Sequence, residues 1–375
     1  MFRRRFVNLL VQNSADDSAY SLRCIDAAKH LFYPSIQEAE ESANDEKKKT
    51  YKTLRRLPNP IASFDPSPTG VLYPGLEWSL YLTLPSLSQA KGMYPVTFSV
   101  AHPGSGQDSL YVLQGYPGEA VHNAQFLPDN SERPRSCFEV LEYRALSYNA
   151  TDPGKGWHWR VLPPPPYIRR PEYRPSVITS HTTIKGADGR TTICISSDKV
   201  GTYCFDTWGF DSTDRLGWSA CWRHLDVWRQ VGEWELPFYG RAEHVPELGV
   251  WLGFTAGRKP HHLCAVDLSA MDGQAAPTWQ HVWDNATLPG EKNWYPLIFR
   301  VINMGDNRFC VAKLFADEEN YKDFAVLAGV EMERGEDGHS LRMVQHTSAL
   351  VSCSGMASLS NGCSEYSCIP VYFEY

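Results

Sequence analysis

Short apolar runs, each closed by a cluster of turn-forming residues, recur along most of this chain. Thr97-Phe-Ser-Val-Ala101 gives way to Pro103-Gly-Ser-Gly-Gln107 and then to Ser109-Leu-Tyr-Val-Leu113. Val177 to Ile184 is followed by Gly186-Ala-Asp-Gly189 and Thr191 to Ser197. Arg241 to Val245 meets Pro246-Glu-Leu-Gly249 and Val250-Trp-Leu-Gly-Phe254. Leu297 to Asn303 meets Met304-Gly-Asp-Asn307 and Phe309-Cys-Val-Ala-Lys-Leu314. Gly, Asn and Asp tolerate the positive φ of tight turns, and the flanking runs are β-branched and aromatic, so each pair predicts a hairpin.

A third run follows each hairpin and ends on an acidic residue: Cys137–Glu142, Thr202–Asp206, Leu263–Asp267 and Val326–Glu331. These ends, Glu142, Asp206, Asp267 and Glu331, stand 64, 61 and 64 positions apart. A fourth run closes each unit: Trp157–Leu162, Trp228–Phe238, Trp279–Trp283 and Leu341–His346. The pattern predicts four antiparallel strands, repeated four times between about Val96 and Thr347. A lone four-stranded sheet leaves both faces open, so tandem copies are expected to stack as blades around an axis.

Upstream, Phe6–Val11 and Tyr20–Ile25 predict a hairpin, and Ile61–Phe64 and Trp78–Leu84 two more strands. Ser35 to Arg56, rich in Glu and Lys, reads as a charged excursion, either a solvated helix or a loose loop. Asp65 to Glu77 carries Pro66, Pro68 and Pro74 where two further strands are expected, so this blade reads as incomplete. The expected fold class is therefore all-β: a β-propeller of four-stranded antiparallel blades, six in number, the N-terminal one incomplete. Residues 1–95 complete the ring, 96–347 form four legible blades and 348–375 a C-terminal tail, all within one domain.

Composition fits this reading. The 375 residues include 12 Trp, 19 Tyr and 16 Phe beside 27 Gly and 26 Pro, a mixture that favours short strands joined by turns. A formal charge of -7 gives no global attraction for nucleic acid or for anionic membrane. Phe6 to Val11 is too short for a span of ~20 residues, and Arg3, Arg4 and Arg5 are followed by neither an apolar core nor a small-residue cleavage pattern. A cytoplasmic or nuclear location and a monomer are expected. The ten cysteines contain no C-x-x-C pair, and several lie inside strand-like runs where Cys acts as a small buried hydrophobe, so a reducing compartment is the better reading. Asn149-Ala-Thr151 and Asn285-Ala-Thr287 match the glycosylation sequon, and without a leader they read as unmodified.

Several stretches carry a resemblance: Arg3-Arg-Arg-Phe-Val-Asn-Leu9, Ala28-Lys-His-Leu-Phe-Tyr-Pro-Ser35, Leu54-Arg-Arg-Leu-Pro58, Gly201-Thr-Tyr-Cys-Phe-Asp-Thr207, Gly232-Glu-Trp-Glu-Leu-Pro-Phe238, Tyr239–Leu248 and His262–Ala270. Together they resemble an uncharacterised family of grass (monocot) proteins, kelch-like or F-box-associated-type β-propellers. The resemblance covers most of the chain and implies a plant source and a propeller fold, with no catalytic residue or ligand attached. Related plant propellers often follow an F-box, but the first 60 residues here lack the Leu-Pro-led helical stretch of one. No Gly-His…Trp-Asp pair marks WD40, and no Gly-Gly doublet marks a standard kelch repeat.

Candidate chemistry is sparse. Pro163-Pro-Pro-Pro-Tyr167 contains a P-P-x-Y ligand for WW domains (Pro164, Pro165, Tyr167), or else a stiff connector between blades. His244, His261 and His262 suggest metal, but adjacent His residues on a strand point to opposite faces. Ser105 sits in a hairpin turn without the strand-to-helix context of a nucleophile elbow. The four acidic anchors recur in every unit, which predicts turn capping. Trp218, Trp222, Trp228 and Trp234 predict blade packing over a binding rim. The reading thus assigns no catalytic residue, no metal and no cofactor. It expects a non-enzymatic protein-interaction module presenting loops, notably Gly115–Ser136 and Asp211–Val227, to a protein partner. The alternative is a propeller enzyme or small-ligand binder using the central channel, with His181, Glu243 and Arg300 converging from inner strands.

Overall fold

The computed structural model describes residues 5–12, 20–44, 52–54, 62–64, 70–72, 81–83, 85, 87–92, 95–101, 108–118, 137–145, 155–186, 188–207, 228–257, 261–269, 271, 275–283, 294–317, 322–335 and 340–352. Strands β1 (Phe6–Gln12) and β2 (Tyr20–Asp26) pair antiparallel from Phe6↔Asp26 to Gln12↔Tyr20. Asp26 then caps helix α1 (Ala27–His30), its carboxylate accepting the Lys29 N–H. A strap, Leu31 to Ser35, leads into α2 (Ile36–Asn44), where the Ser35 hydroxyl accepts the Glu38 N–H at 3.2 Å and donates to the Glu38 carboxylate. The charged excursion is thus partly a capped helix. Four short strands follow: β3 (Lys52–Leu54), β4 (Ala62–Phe64), β5 (Gly70–Leu72) and β6 (Tyr81–Thr83). β4 extends the β1–β2 sheet, and β5 pairs with β6. A strand therefore does lie within Asp65–Glu77, despite its prolines.

The repeated units are all present as antiparallel meanders in chain order. The first is β7 (Val96–Ala101), β8 (Asp108–Leu113), β9 (Phe138–Ala145) and β10 (Lys155–Val161). The second is β11 (Ile178–Lys185), β12 (Thr191–Ser197), β13 (Gly201–Asp206) and β14 (Trp228–Gly232). The third is β15 (Phe238–Val245), β16 (Val250–Thr255), β17 (Leu263–Val266) and β18 (Trp279–Trp283). The fourth is β19 (Trp294–Gly305), β20 (Arg308–Asp317), β21 (Lys322–Arg334) and β22 (Leu341–Ser352), with β3 added parallel along β22. Turn chemistry sets the registers. Asp306 and Asn307, at φ 51 and 58, form the two-residue loop between Gly305 and Arg308, the type I′ geometry that matches strand twist. β22 runs on to Ser352, beyond the Thr347 boundary expected for the last unit. The reason is the length of its partner β21, which offers a ladder as far as Phe324↔Ser352.

Contacts divide the chain into two compact units, one of residues 83–239 and 267–278, the other of 1–82, 240–266 and 279–375. In the first unit the β7–β10 and β11–β14 sheets share one core. Phe98, Tyr111, Phe138 and Val140 meet Ile193, Ile195, Tyr203, Phe205 and Trp228. Phe138 and Phe205 stand edge to face at 4.9 Å, and Trp228 lies 5.0 Å from Phe205, the arrangement aromatic quadrupoles favour.

In the second unit the β19–β22 sheet is buried on both faces. Phe309, Val311 and Val330 pack with Val250, Leu252 and Phe254 of the β15–β18 sheet. The alternate residues Cys310, Ala312 and Leu314 pack with Val7, Ile25 and Leu31. That double burial is why β20 reads as an apolar run without alternation, broken only at Lys313, as in sheets covered on both sides. The fold is thus mostly β, built from four-stranded antiparallel meanders; the second and third belong to one eight-stranded sheet, the fourth gains β3 as a fifth strand, and within each unit meanders pack face to face.

Candidate functional site

The most developed polar constellation lies where the strap meets the last sheet. Opposite Gly329 the β21–β22 ladder slips, from Ala328↔Ser348 to Val330↔Gln345, so His346 and Thr347 face one residue. This bulge frees the Thr347 N–H, which donates to the Leu31 carbonyl at 3.1 Å. Next to it the Tyr33 N–H donates to His346 Nδ1 at 3.2 Å. Nδ1 therefore accepts, the proton sits on Nε2, and Nε2 donates to Glu331 Oε2 at 3.1 Å. Arg308 Nε donates to the same oxygen at 3.0 Å, and its guanidinium lies 5.6 Å from the Phe32 ring. Burial lowers the His346 pKa below its usual value and Arg308 adds to this, while Glu331 opposes it. Both ring nitrogens are engaged, so the imidazole has neither a lone pair nor a proton to offer a substrate.

A second constellation is sealed. Lys91 pairs with Glu139 on β9, both side chains being almost wholly buried, and also donates to the Gln89 carbonyl. The other Glu139 oxygen accepts the Ser88 N–H at 3.0 Å. Burial lowers the Lys91 pKa and Glu139 opposes that shift. This pair staples residues 88–91 to the sheet, beside the Trp159 indole N–H that donates to the Pro85 carbonyl. Elsewhere Lys313 lies 5.4 Å and 5.5 Å from the Phe254 and Phe299 rings, and burial lowers its pKa to about 8.

The sequence-derived candidates fall mostly into structural roles. Glu142 takes both oxygens to Arg160 on the neighbouring strand, and Glu331 binds Arg308 and His346. Asp267 shows the expected turn capping, accepting the Ser269 N–H at 2.7 Å, and Asp206 stands exposed at the end of β13. The P-P-x-Y motif is not a surface ligand. Tyr167 is 1% exposed, packed on Tyr173 and Tyr203, and the Pro163 carbonyl accepts the Trp228 indole N–H, so the segment is the stiff connector.

The three histidines do not converge. His244 stacks on Trp251 at 4.1 Å, His261 donates from Nδ1 to the Thr255 carbonyl, and the His262 backbone N–H binds the Thr255 hydroxyl. Among the described residues no cluster of three or more His, Cys, Asp or Glu could hold a cation. His181 packs edge-on against Phe98, Glu243 pairs with Arg241 at 3.3 Å, and Arg300 donates to the Phe299 carbonyl. Ser105, Trp218, Trp222, both sequons and the segments 119–136 and 211–227 lie outside the described residues.

Sequence reasoning missed Lys91–Glu139, the strap junction and one covalent link. Cys194 and Cys204 are joined as a disulfide between β12 and β13, whereas Cys137, Cys264 and Cys310 are buried free thiols pushed up to about 12 by desolvation. The bond differs from what the expected reducing compartment implies, and its cause is register: Cys194 directly faces Cys204, with Cα atoms 4.3 Å apart. A signal existed, since the two cysteines stand at equal distances from the turn centred on Lys199, whose φ is 60. No described helix is long and apolar enough to cross a membrane.

No curated protein and no solved structure matches the chain. The family model described as a protein of unknown function, DUF1668, matches residues 4–80 and 70–351, which together take in the strap, the bulge and all the repeated sheets. The chain belongs to the DUF1668 family.

Proposed function

We propose that this protein is a non-enzymatic interaction module, a kelch-like β-propeller of six blades that offers its inter-strand segments to a protein partner in the cytoplasm or nucleus of a plant cell. The propeller reading is supported by the face-to-face packing of the β7–β10 meander on β11–β14 and of β15–β18 on β19–β22. The observation that carries the functional reading is how the reactive groups are used. Glu142, Glu139, Glu331 and His346 spend their bonding atoms on neighbouring strands, the strap or the 88–91 segment, so they hold backbone together. Such a chain is a scaffold whose long connections, between β8 and β9 and between β13 and β14, are left for recognition.

The test replaces residues 119–136 and 211–227 by Gly-Ser linkers of equal length and compares affinity capture from plant lysate by quantitative mass spectrometry. The reading expects specific proteins to be retained by the parent chain and lost with the linkers. Identical capture by both refutes it.

A further inference from the structure

We propose that the strap junction is a pH-sensitive latch, in which protonation of His346 releases residues Leu31 to Ser35 from the bulge between β21 and β22. The geometry dictates the direction. His346 Nδ1 is an acceptor for the Tyr33 N–H, so a proton added there sets two donors against each other and removes that bond. The groups that face the ring are few. Glu331 comes from β21 and Arg308 from β20, while the strap brings the Phe32 ring at 5.1 Å and the Tyr33 ring at 6.3 Å. From α2, which packs along β22, Glu40 is taken up by Arg342 and Glu38 by Ser35. Glu331 would stabilise an imidazolium, but it already neutralises Arg308, and the ring is buried. Its titration therefore follows the lowered direction found above.

A neighbouring backbone tie runs from the Thr347 N–H to the Leu31 carbonyl, and that bond depends on the same close approach over Gly329. Losing the Tyr33 bond thus loosens both. Opening exposes Leu31 and Phe32, which are buried in the closed form, together with the Thr347 N–H that the bulge withholds from the ladder. A neutral-pH closed state and a mildly acidic open state follow from one imidazole.

The experiment is amide hydrogen exchange on the full chain, read by peptide mass spectrometry between pH 7.5 and 5.5 and expressed as protection so that the intrinsic pH dependence is removed. Protection across residues 31–35 is expected to fall by up to about tenfold per pH unit once the ring titrates, because opening takes up one proton. Peptides from β9 and β12 should hold constant. In His346→Asn, whose amide oxygen stands where Nδ1 accepts but does not titrate, protection of 31–35 should be independent of pH. A flat profile in the parent chain, or the same slope in His346→Asn, overturns the latch. Should that variant fail to fold, nitrogen NMR of the parent imidazole decides: the latch requires the Nε2–H tautomer at pH 7.5, and an Nδ1–H tautomer refutes it.

Discussion

Replacing Gly329 by alanine probes the close approach on which the strap depends. A Cβ built at this position overlaps the Leu31 carbonyl oxygen and lies 2.9 Å from its carbon and 3.3 Å from Leu31 Cβ. The obstacle is backbone, so no side-chain rotation relieves it. The strap has to withdraw by about an ångström to regain ordinary contact distances. Withdrawal breaks the Thr347–Leu31 bond, 3.1 Å, and the Tyr33–His346 bond, 3.2 Å, each contributing ~1 kcal/mol. Leu31, fully buried, gives up part of a contribution of ~2 kcal/mol. Alanine's smaller unfolded-state entropy returns ~0.4–1 kcal/mol. The net expectation is a loss of about 2–3 kcal/mol, read as a lower urea midpoint at unchanged m by tryptophan fluorescence. A change within about 0.5 kcal/mol would show that the strap accommodates a methyl group and that Gly329 is not what seats it.

Lys91→Met strands the Glu139 carboxylate in a dry site and is expected to cost ~3–5 kcal/mol. Adding Glu139→Gln should recover most of that loss in chemical denaturation, and strictly additive losses would refute the coupling. Cys194→Ala with Cys204→Ala removes a link across a sequence separation of 10, for which chain entropy sets a loss of ~2–3 kcal/mol. Alkylation of the unfolded parent, counted by intact mass, should find those two thiols protected, and modification of both would show that they are free. Burial lowers Lys313 from 10.5 to about 8, so between those values the unfolded chain binds the extra proton. Stability should therefore rise with pH across that window, by ~3 kcal/mol in total. Lys313→Met should flatten the rise, and an unchanged slope in that variant would assign it to another group.

The four repeated meanders were legible because their strands obey local rules: β-branched and aromatic runs, broken by turns whose residues accept positive φ. Asp306–Asn307 is such a case, where two adjacent positive-φ positions announce the hairpin. The anchors were legible as positions but not as roles. Whether an acidic strand end caps a turn, as Asp267 does, or meets an arginine, as Glu142 does, depends on what the next strand places beside it. The strap junction was not legible at all. Tyr33 and His346 lie 313 positions apart, and what joins them is a one-residue slip in a ladder, which leaves no mark in hydrophobic periodicity. β3 escaped for a similar reason, since Lys52–Leu54 is too short to carry a pattern and becomes a strand only because the edge of β22 is available.

That last pairing orders events in time. β3 aligns Lys52 with Ala349 and Leu54 with Val351, and the core that takes Val7, Ile25 and Leu31 is completed by residues up to Val351. A ribosome adding ~5–20 residues per second spends tens of seconds between making the first partner and the last. Throughout that interval the amino-terminal strands have no completed surface on which to bury those side chains. The β7–β10 and β11–β14 sheets, whose shared core closes by Trp228, can meanwhile consolidate. The nascent protein is thus expected to mature from its middle outwards, with its beginning the part most in need of chaperone cover and most sensitive to a premature stop near the end.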